Sequence, residues 1–212
     1  MPDPGALTTL HARRAADGDD GSVAWLVERL TPLLVAQADW RMGPVLRRCH
    51  DPRDVVQEAW MVLLPRLAGV EPRDGRLTPV LLKFLSSTIL GKVRNLLRRE
   101  VRRATASLDA LPAAAPPEAL AGPRSEVVSS VVRRERVCKV REVLDELGDD
   151  DREVLLLRGI EQQDAEVVAE RLGITRDALS KRYRRALARL GQGLPDSVFS
   201  ELAAEADRDE VR

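Results

Sequence analysis

Thr175, Arg176, Asp177, Ser180, Lys181, Arg184 and Arg185 crowd one short stretch, at spacings that leave them on the outer side of a helix. Guanidinium and ammonium groups arrayed in this way pair with phosphates or with guanine edges. A second set, Lys92, Arg94, Asn95, Arg98 and Arg99, stands earlier in the chain. Gly91 to Ala104 carries six cations against the single acid Glu100, and Thr175 to Leu190 carries six against Asp177. The whole chain is neutral, so two such stripes suggest two local phosphate-binding faces rather than a protein coated in positive charge. On charge alone, a pair of solvated helix surfaces accounts for the pattern equally well.

Covalent chemistry has fewer candidates. No glycine-rich phosphate loop, Ser-His-Asp set or paired-carboxylate constellation stands out, so neither an enzyme nor a cofactor is expected. Cys49-His50 is half of a metal site with no second pair at ligand spacing; a buried thiol beside a surface imidazole is expected instead.

The elements that position these sets should be helices. Aromatics are only 3 % of the chain, which is rich in Leu, Val, Ala, Arg and Glu, whereas strands favour aromatic and β-branched residues. Apolar residues make up 44 % of 212 positions, enough to bury one core or two small ones. No apolar run approaches the roughly 20 residues of a membrane-spanning helix, and Met1-Pro2-Asp3-Pro4-Gly5 has no secretion pattern. Cys49 and Cys138 are too few for a disulfide framework. A soluble, cytoplasmic, all-α protein with no membrane partner is expected.

Along the chain, the first dozen residues, His11 among them, have no clear pattern, and Ser22 is placed to cap a helix through Trp25, Leu26, Leu30, Leu33 and Leu34. Pro32 marks a kink or a boundary in it, and Gly43-Pro44 a second interruption. Asp51-Pro52 starts the next helix, with Val55, Val56, Ala59, Trp60, Leu63, Leu64 and Leu67 inward and Arg53, Asp54, Gln57 and Glu58 outward. After a loop at Glu71 to Arg76, Thr78-Pro79 begins a long helix with core positions Leu82, Leu85, Ile89, Val93, Leu96, Leu97 and Val101. Periodicity vanishes from Thr105 to Arg124, where Pro112, Pro116, Pro117 and Pro123 read as a semi-rigid linker. Ser125 then caps a helix to Leu147, and Asp149-Asp150-Asp151 opens a short one.

Two helices, Ala165 to Leu172 and Arg176 to Leu190, meet at Gly173-Ile174-Thr175. Glycine supplies a left-handed turn, Ile174 plugs the angle and Thr175 caps the second helix. Val167, Val168 and Leu172 face inward on the first; Leu179, Tyr183, Ala186, Leu187 and Leu190 do so on the second. A short helix whose outer face is polar and basic has the geometry of a major-groove reader. The alternative is an ordinary helical corner with a charged surface.

Ala165-Glu166-Val167-Val168-Ala169-Glu170-Arg171-Leu172-Gly173-Ile174-Thr175 and the following Arg176 to Ala186 resemble the region 4 helix-turn-helix of bacterial sigma factors, with Val143 to Leu147 and Arg152 to Arg158 similar to its lead-in. Response-regulator output domains share similar text. Asp51-Pro52-Arg53-Asp54-Val55-Val56-Gln57-Glu58-Ala59-Trp60 resembles sigma region 2.2, and Arg94-Asn95-Leu96-Leu97-Arg98-Arg99 resembles regions 2.3 and 2.4, with Asn95 where the family often has Asp. Nothing resembles regions 1.1 or 3, which points to the small, two-domain extracytoplasmic-function class.

The resemblance implies a sigma factor that binds core RNA polymerase and directs transcription initiation at −10 and −35 promoter elements. Residues 1–16 would be a disordered N-terminus, 17–104 the region 2 domain, 105–124 the linker, 125–192 the region 4 domain and 193–212 an acidic tail, solvated and with a short helix around Val198 to Ala204. Arg53, Asp54, Gln57 and Glu58 would dock on the β′ clamp helices, and region 4 on the β flap. Lys92, Arg94, Asn95, Arg98 and Arg99 would contact the −10 element; Thr175, Arg176, Asp177, Ser180, Lys181, Arg184 and Arg185 would contact the −35 element. The loop Gly69 to Leu77 would hold an unstacked base, with Phe84 the single aromatic nearby. The resemblance allows an anti-sigma partner and implies a monomer when free. A stand-alone helix-turn-helix regulator, which would be a dimer on a palindrome, is the alternative.

Overall fold

The computed structural model describes residues 4–106, 127–193, 198–199, 201–203 and 206, and no strand occurs among them. Among the described residues the main α-helices are α1 (Pro4–Ala16), α2 (Asp20–Arg47), α3 (Pro52–Leu63), α4 (Thr78–Ala106), α5 (Val127–Asp145), α6 (Asp149–Val154), α7 (Ala165–Leu172) and α8 (Arg176–Gly193). The all-α expectation holds. The stretch from 107 to 124 of the expected linker, and its following cap Ser125, lie outside the described residues.

The N-terminal stretch expected to be disordered is instead helical from Pro4, because Thr8, Thr9, Ala12 and Ala15 bury one narrow face. His11 stacks on Trp25 of α2, with ring centroids 4.1 Å apart. Asp19, not Ser22, caps α2: its carboxylate accepts from the Gly21 amide at 3.0 Å and from the Ser22 hydroxyl at 2.6 Å. That hydroxyl chiefly, helped by the Gly21 and Ser22 amides and Arg14, holds the Asp19 pKa below the ordinary carboxylate value, against an opposing effect of burial. The backbone of α2 leaves helical geometry at Gly43 (φ 64°) rather than at Pro32.

Asp51 caps α3 by accepting from the Arg53 amide at 2.8 Å, and Val55, Val56, Ala59, Trp60 and Leu63 are buried as the spacing requires. Trp60 donates its indole N–H to Thr31 Oγ1 at 3.0 Å. On α4, Leu82, Leu85, Ile89 and Val93 are buried, but Leu97 and Val101, expected in the core, are 48 % and 56 % exposed. The 29 residues of α4 span about 43 Å at 1.5 Å each and outrun the 12-residue α3 beside them. Periodicity continues where packing partners do not. Cys49, expected buried, is exposed.

The two halves, expected to sit apart on a tether, pack together. Helix α2 is the common wall, touching α1, α3 and α4 of the first half and α5 of the second. Arg41 on α2 reaches Glu161 (Nε to Oε1, 2.7 Å) and Glu153 (Nη1 to Oε1, 3.1 Å). Asp39 meets Arg141 at 2.9 Å, and the Arg152 guanidinium lies 4.2 Å above the Trp40 ring. Gln37, fully buried, donates to Ser86 Oγ at 2.6 Å and to Glu161 at 3.3 Å. A buried carboxylate so partnered offsets its desolvation, which explains how two neutralised surfaces can close on each other.

Candidate nucleic-acid interface

The helix-turn-helix forms as its local chemistry dictates. Gly173 adopts φ 64°, ψ 32°, where a side chain would be strained, and Ile174 donates its amide to Ala169 O at 3.0 Å. Thr175 Oγ1 accepts from the Ala178 amide at 3.2 Å, capping α8. Leu179, Tyr183, Ala186, Leu187 and Leu190 are buried. On α7 the inner face is Val168, Ala169 and Leu172; Val167, expected inside, is 52 % exposed. Helix α6 continues as a π-helical turn, Leu155–Ile160, whose Gly159 lies so close under Tyr183 that a Cβ there would come within 3.3 Å of the ring.

Thr175, Arg176, Asp177, Ser180, Lys181 and Arg185 are exposed and Arg184 is half-buried. Their electrostatic settings differ. Arg176 pairs with Glu166 at 3.1 Å and Lys181 with Asp177 at 2.9 Å, all four largely in solvent. Arg185 instead grips the buried Asp151 with two bonds, 2.7 and 3.0 Å, and Arg182 reaches Asp150 at 2.8 Å. The hydrogen bond from Asp151, and then its charge, raise the Arg185 pKa above its ordinary value. The sequence shows six similar cations; which of them brace α8 against α6 depends on tertiary placement.

On α4, Arg94, Asn95, Arg98 and Arg99 are exposed, while Lys92 is half-buried and bonded to Glu58 of α3. Phe84, Ser87, Thr88, Gly91, Asn95 and Arg98 recur at three- and four-residue steps, so they share one helix face about 21 Å long. At its N-terminal end Phe84, Lys83 and Thr88 line a groove of about 540 Å³ together with Arg73 from the preceding loop and Gln162 from the second half. That loop closes on a tight turn, with Asp74 at φ 51° and Gly75 at φ 78° and paired backbone bonds of 2.9 Å between Arg73 and Arg76.

On α3, Asp54, Gln57 and Glu58 are exposed and Arg53 is half-buried. Met61 stands beside them, 65 % exposed. Sequence reasoning passed over Met61, although its spacing from Asp54, Gln57 and Glu58 puts it on the same face. No group of three or more metal-ligating side chains occurs among the described residues, and no helix there is long and apolar enough to cross a membrane.

A helix-turn-helix with a basic second helix, packed beside a helical unit that carries its own basic helix, defines a bipartite helical DNA-binding protein. Residues 139–190 match the family Sigma-70, region 4. Over 179 residues the chain is 30 % identical to the ECF RNA polymerase sigma factor SigD of Mycobacterium tuberculosis and of Mycobacterium bovis, covering 83 % of this chain and 78 % of each relative. A solved structure of CnrH in complex with the cytosolic domain of CnrY aligns with 96 % of this chain and 99 % of that one, at 24 % identity and a TM-score of 0.39. The chain belongs to the ECF RNA polymerase sigma factors. It is a non-catalytic regulator that acts with RNA polymerase on promoter DNA to direct the initiation of transcription.

Proposed function

We propose that this sigma factor divides its work between two units, residues 17–104 for core polymerase and the −10 element and residues 125–192 for the −35 element. The observation that carries the first assignment is the continuous face of α4, where an aromatic groove runs directly into a row of exposed polar and basic side chains. Phe84 offers a stacking surface for an unpaired base, and Arg73 and Lys83 offer cations for its phosphate. Arg94, Asn95, Arg98 and Arg99 continue the contact toward the duplex, and Lys92 joins them once it leaves Glu58.

Helix α3 presents Arg53, Asp54, Gln57 and Glu58 to the β′ clamp helices, with Met61 as the apolar centre of that patch. A small exposed apolar group ringed by charge is the usual anatomy of a compact docking surface. Thr175, Arg176, Asp177, Ser180, Lys181 and Arg184 face the −35 major groove, and Arg185 contributes as the brace that fixes α8 on α6. The same unit meets the β flap. The free protein is a cytoplasmic monomer, and an anti-sigma factor is a further partner.

The test is run-off transcription with purified core polymerase and fragmented genomic DNA. Promoter-dependent transcripts that vanish in the double variant Lys181→Ala, Arg184→Ala while core binding persists support the division of labour. Asp54→Arg with Met61→Glu should show the converse, loss of core binding. If wild-type protein binds no core at low salt, the proposal fails.

A further inference from the structure

Residues beyond α8 were expected to be a solvated acidic tail; the structure instead plants part of them in the first half of the molecule. Val198, Phe199 and Leu202 are buried to 1 % exposure or less, and Ala203 and Ala206 pack against the same core. Between them Glu201, 3 % exposed, is held by three side chains from three helices. Its Oε1 accepts from Thr8 Oγ1 of α1 at 2.7 Å and from Arg29 of α2 at 3.0 Å (Nε) and 2.8 Å (Nη2). Its Oε2 accepts from Thr78 Oγ1, at the start of α4, at 2.6 Å.

This is a seat built for one carboxylate. The Arg29 guanidinium lies 5.0 Å from the centre of the Trp25 ring, on which His11 also stacks. Thr9 fixes the start of α4 by accepting the Leu77 amide at 3.1 Å. Arg29 and the start of α4 are therefore placed by groups other than Glu201, and a buried carboxylate persists only where such donors meet it.

We propose that Val198, Phe199, Glu201 and Leu202 form an intramolecular latch that keeps the sigma factor closed until polymerase and promoter pull it open. The inference rests on the assignment of α4 to the −10 element and α8 to the −35 element. From Gly193 to Val198 the chain reaches at most about 18 Å, so a seated latch ties the end of α8 to the first half. A compact chain of this length has a radius of gyration of about 17 Å, hence a diameter of about 43 Å. Elements centred about 25 base pairs apart lie about 85 Å from each other along the duplex, at about 3.4 Å per pair. The closed molecule cannot touch both, so the latch must leave its seat for the two helices to read one promoter.

The native thiols make the test direct, since Cys49, just beyond α2, and Cys138, on α5, are both free and exposed. Spin labels on the full-length chain report the separation of the halves by double electron–electron resonance. Wild type should give a dominant short distance. Glu201→Gln, which keeps the shape and removes the charge, should raise the long-distance population about tenfold, or about 1.4 kcal/mol. Phe199→Ala should do the same, with helix content checked by circular dichroism. An increase of less than threefold in both variants overturns the latch. In transcription at limiting core polymerase, both variants should exceed wild type severalfold. If wild type and variants alike give no promoter-dependent transcripts, the promoter assignment fails while the distance measurement still decides whether the latch exists.

Discussion

Replacing Glu161 with glutamine removes the charge at the centre of the contact between α2 and the second half while keeping its volume. Glu161 is 4 % exposed at its side chain and Arg41 17 %, and their closest approach is 2.7 Å. At an effective dielectric of about 20, charges about 4 Å apart attract by about 4 kcal/mol before desolvation is subtracted. Arg41 keeps a second partner in Glu153, but its Nη2 and the neighbouring Gln37 Oε1 are already buried without partners. Losing Glu161 would add to that deficit. The net coupling should thus be that of a hydrogen bond to a charged group, about 1.5–3 kcal/mol. Arg136 with Glu28 is the control, a contact between the same halves at 2.7 Å whose side chains are 53 % and 49 % exposed. Its coupling should be about 0–1 kcal/mol. A double-mutant cycle of Arg41→Met and Glu161→Gln in urea unfolding measures the first value. Trp40, stacked by Arg152 across the same contact, provides the fluorescence signal. Coupling for Arg41 and Glu161 below about 0.5 kcal/mol would refute the claim that this pair holds the halves together.

Three further outcomes follow from local chemistry. Because the folded pKa of Asp19 is lowered, its contribution to α2 is fully present above the unfolded value of about 3.9 and is lost as pH falls through the folded value. Hydrogen exchange at the Gly21 amide should accelerate over that acid window in wild type, relative to the intrinsic rate, and should show no such step in Asp19→Ala. Gly173→Val forces a β-branched residue to φ 64° and should cost about 1–3 kcal/mol, read as a lower melting temperature of the second unit. Lys181→Ala in the assembled holoenzyme should reduce the slope of log affinity against log salt by about 0.9, the share of one phosphate contact.

What the sequence disclosed was local. Gly173, Ile174 and Thr175 specify their turn within a few residues, and the α3 core face from Val55 to Leu63 needs only the helical period. Leu97 and Val101 carry the same period, yet stand in solvent because α4 is far longer than the 12-residue α3 it packs on. The seat of Glu201 joins residues 123, 172 and 193 positions away in the chain, and no local pattern encodes it. Helix α1 escaped notice for a related reason: its buried residues are Thr and Ala, which leave little apolar signal.

The distribution of charge on α8 bears on why such a chain should need polymerase. Arg176–Glu166 and Lys181–Asp177 are exposed pairs, each worth about 0–1 kcal/mol, so a phosphate can displace the acid at little cost. Asp151 is buried, so losing Arg185 would leave its carboxylate poorly solvated, and in the proposed function Arg185 stays on α6 when DNA is bound. Arg182 pairs with Asp150, whose side chain is 78 % exposed, so that pair yields as readily as the other two. The recognition helix therefore brings fewer available cations to DNA than its sequence suggests, and the counterion release that drives non-specific binding shrinks with them. A weak second site becomes selective only when a first site and a common scaffold raise its effective concentration. On the proposed division of labour, polymerase would supply that scaffold by holding the two units at promoter spacing.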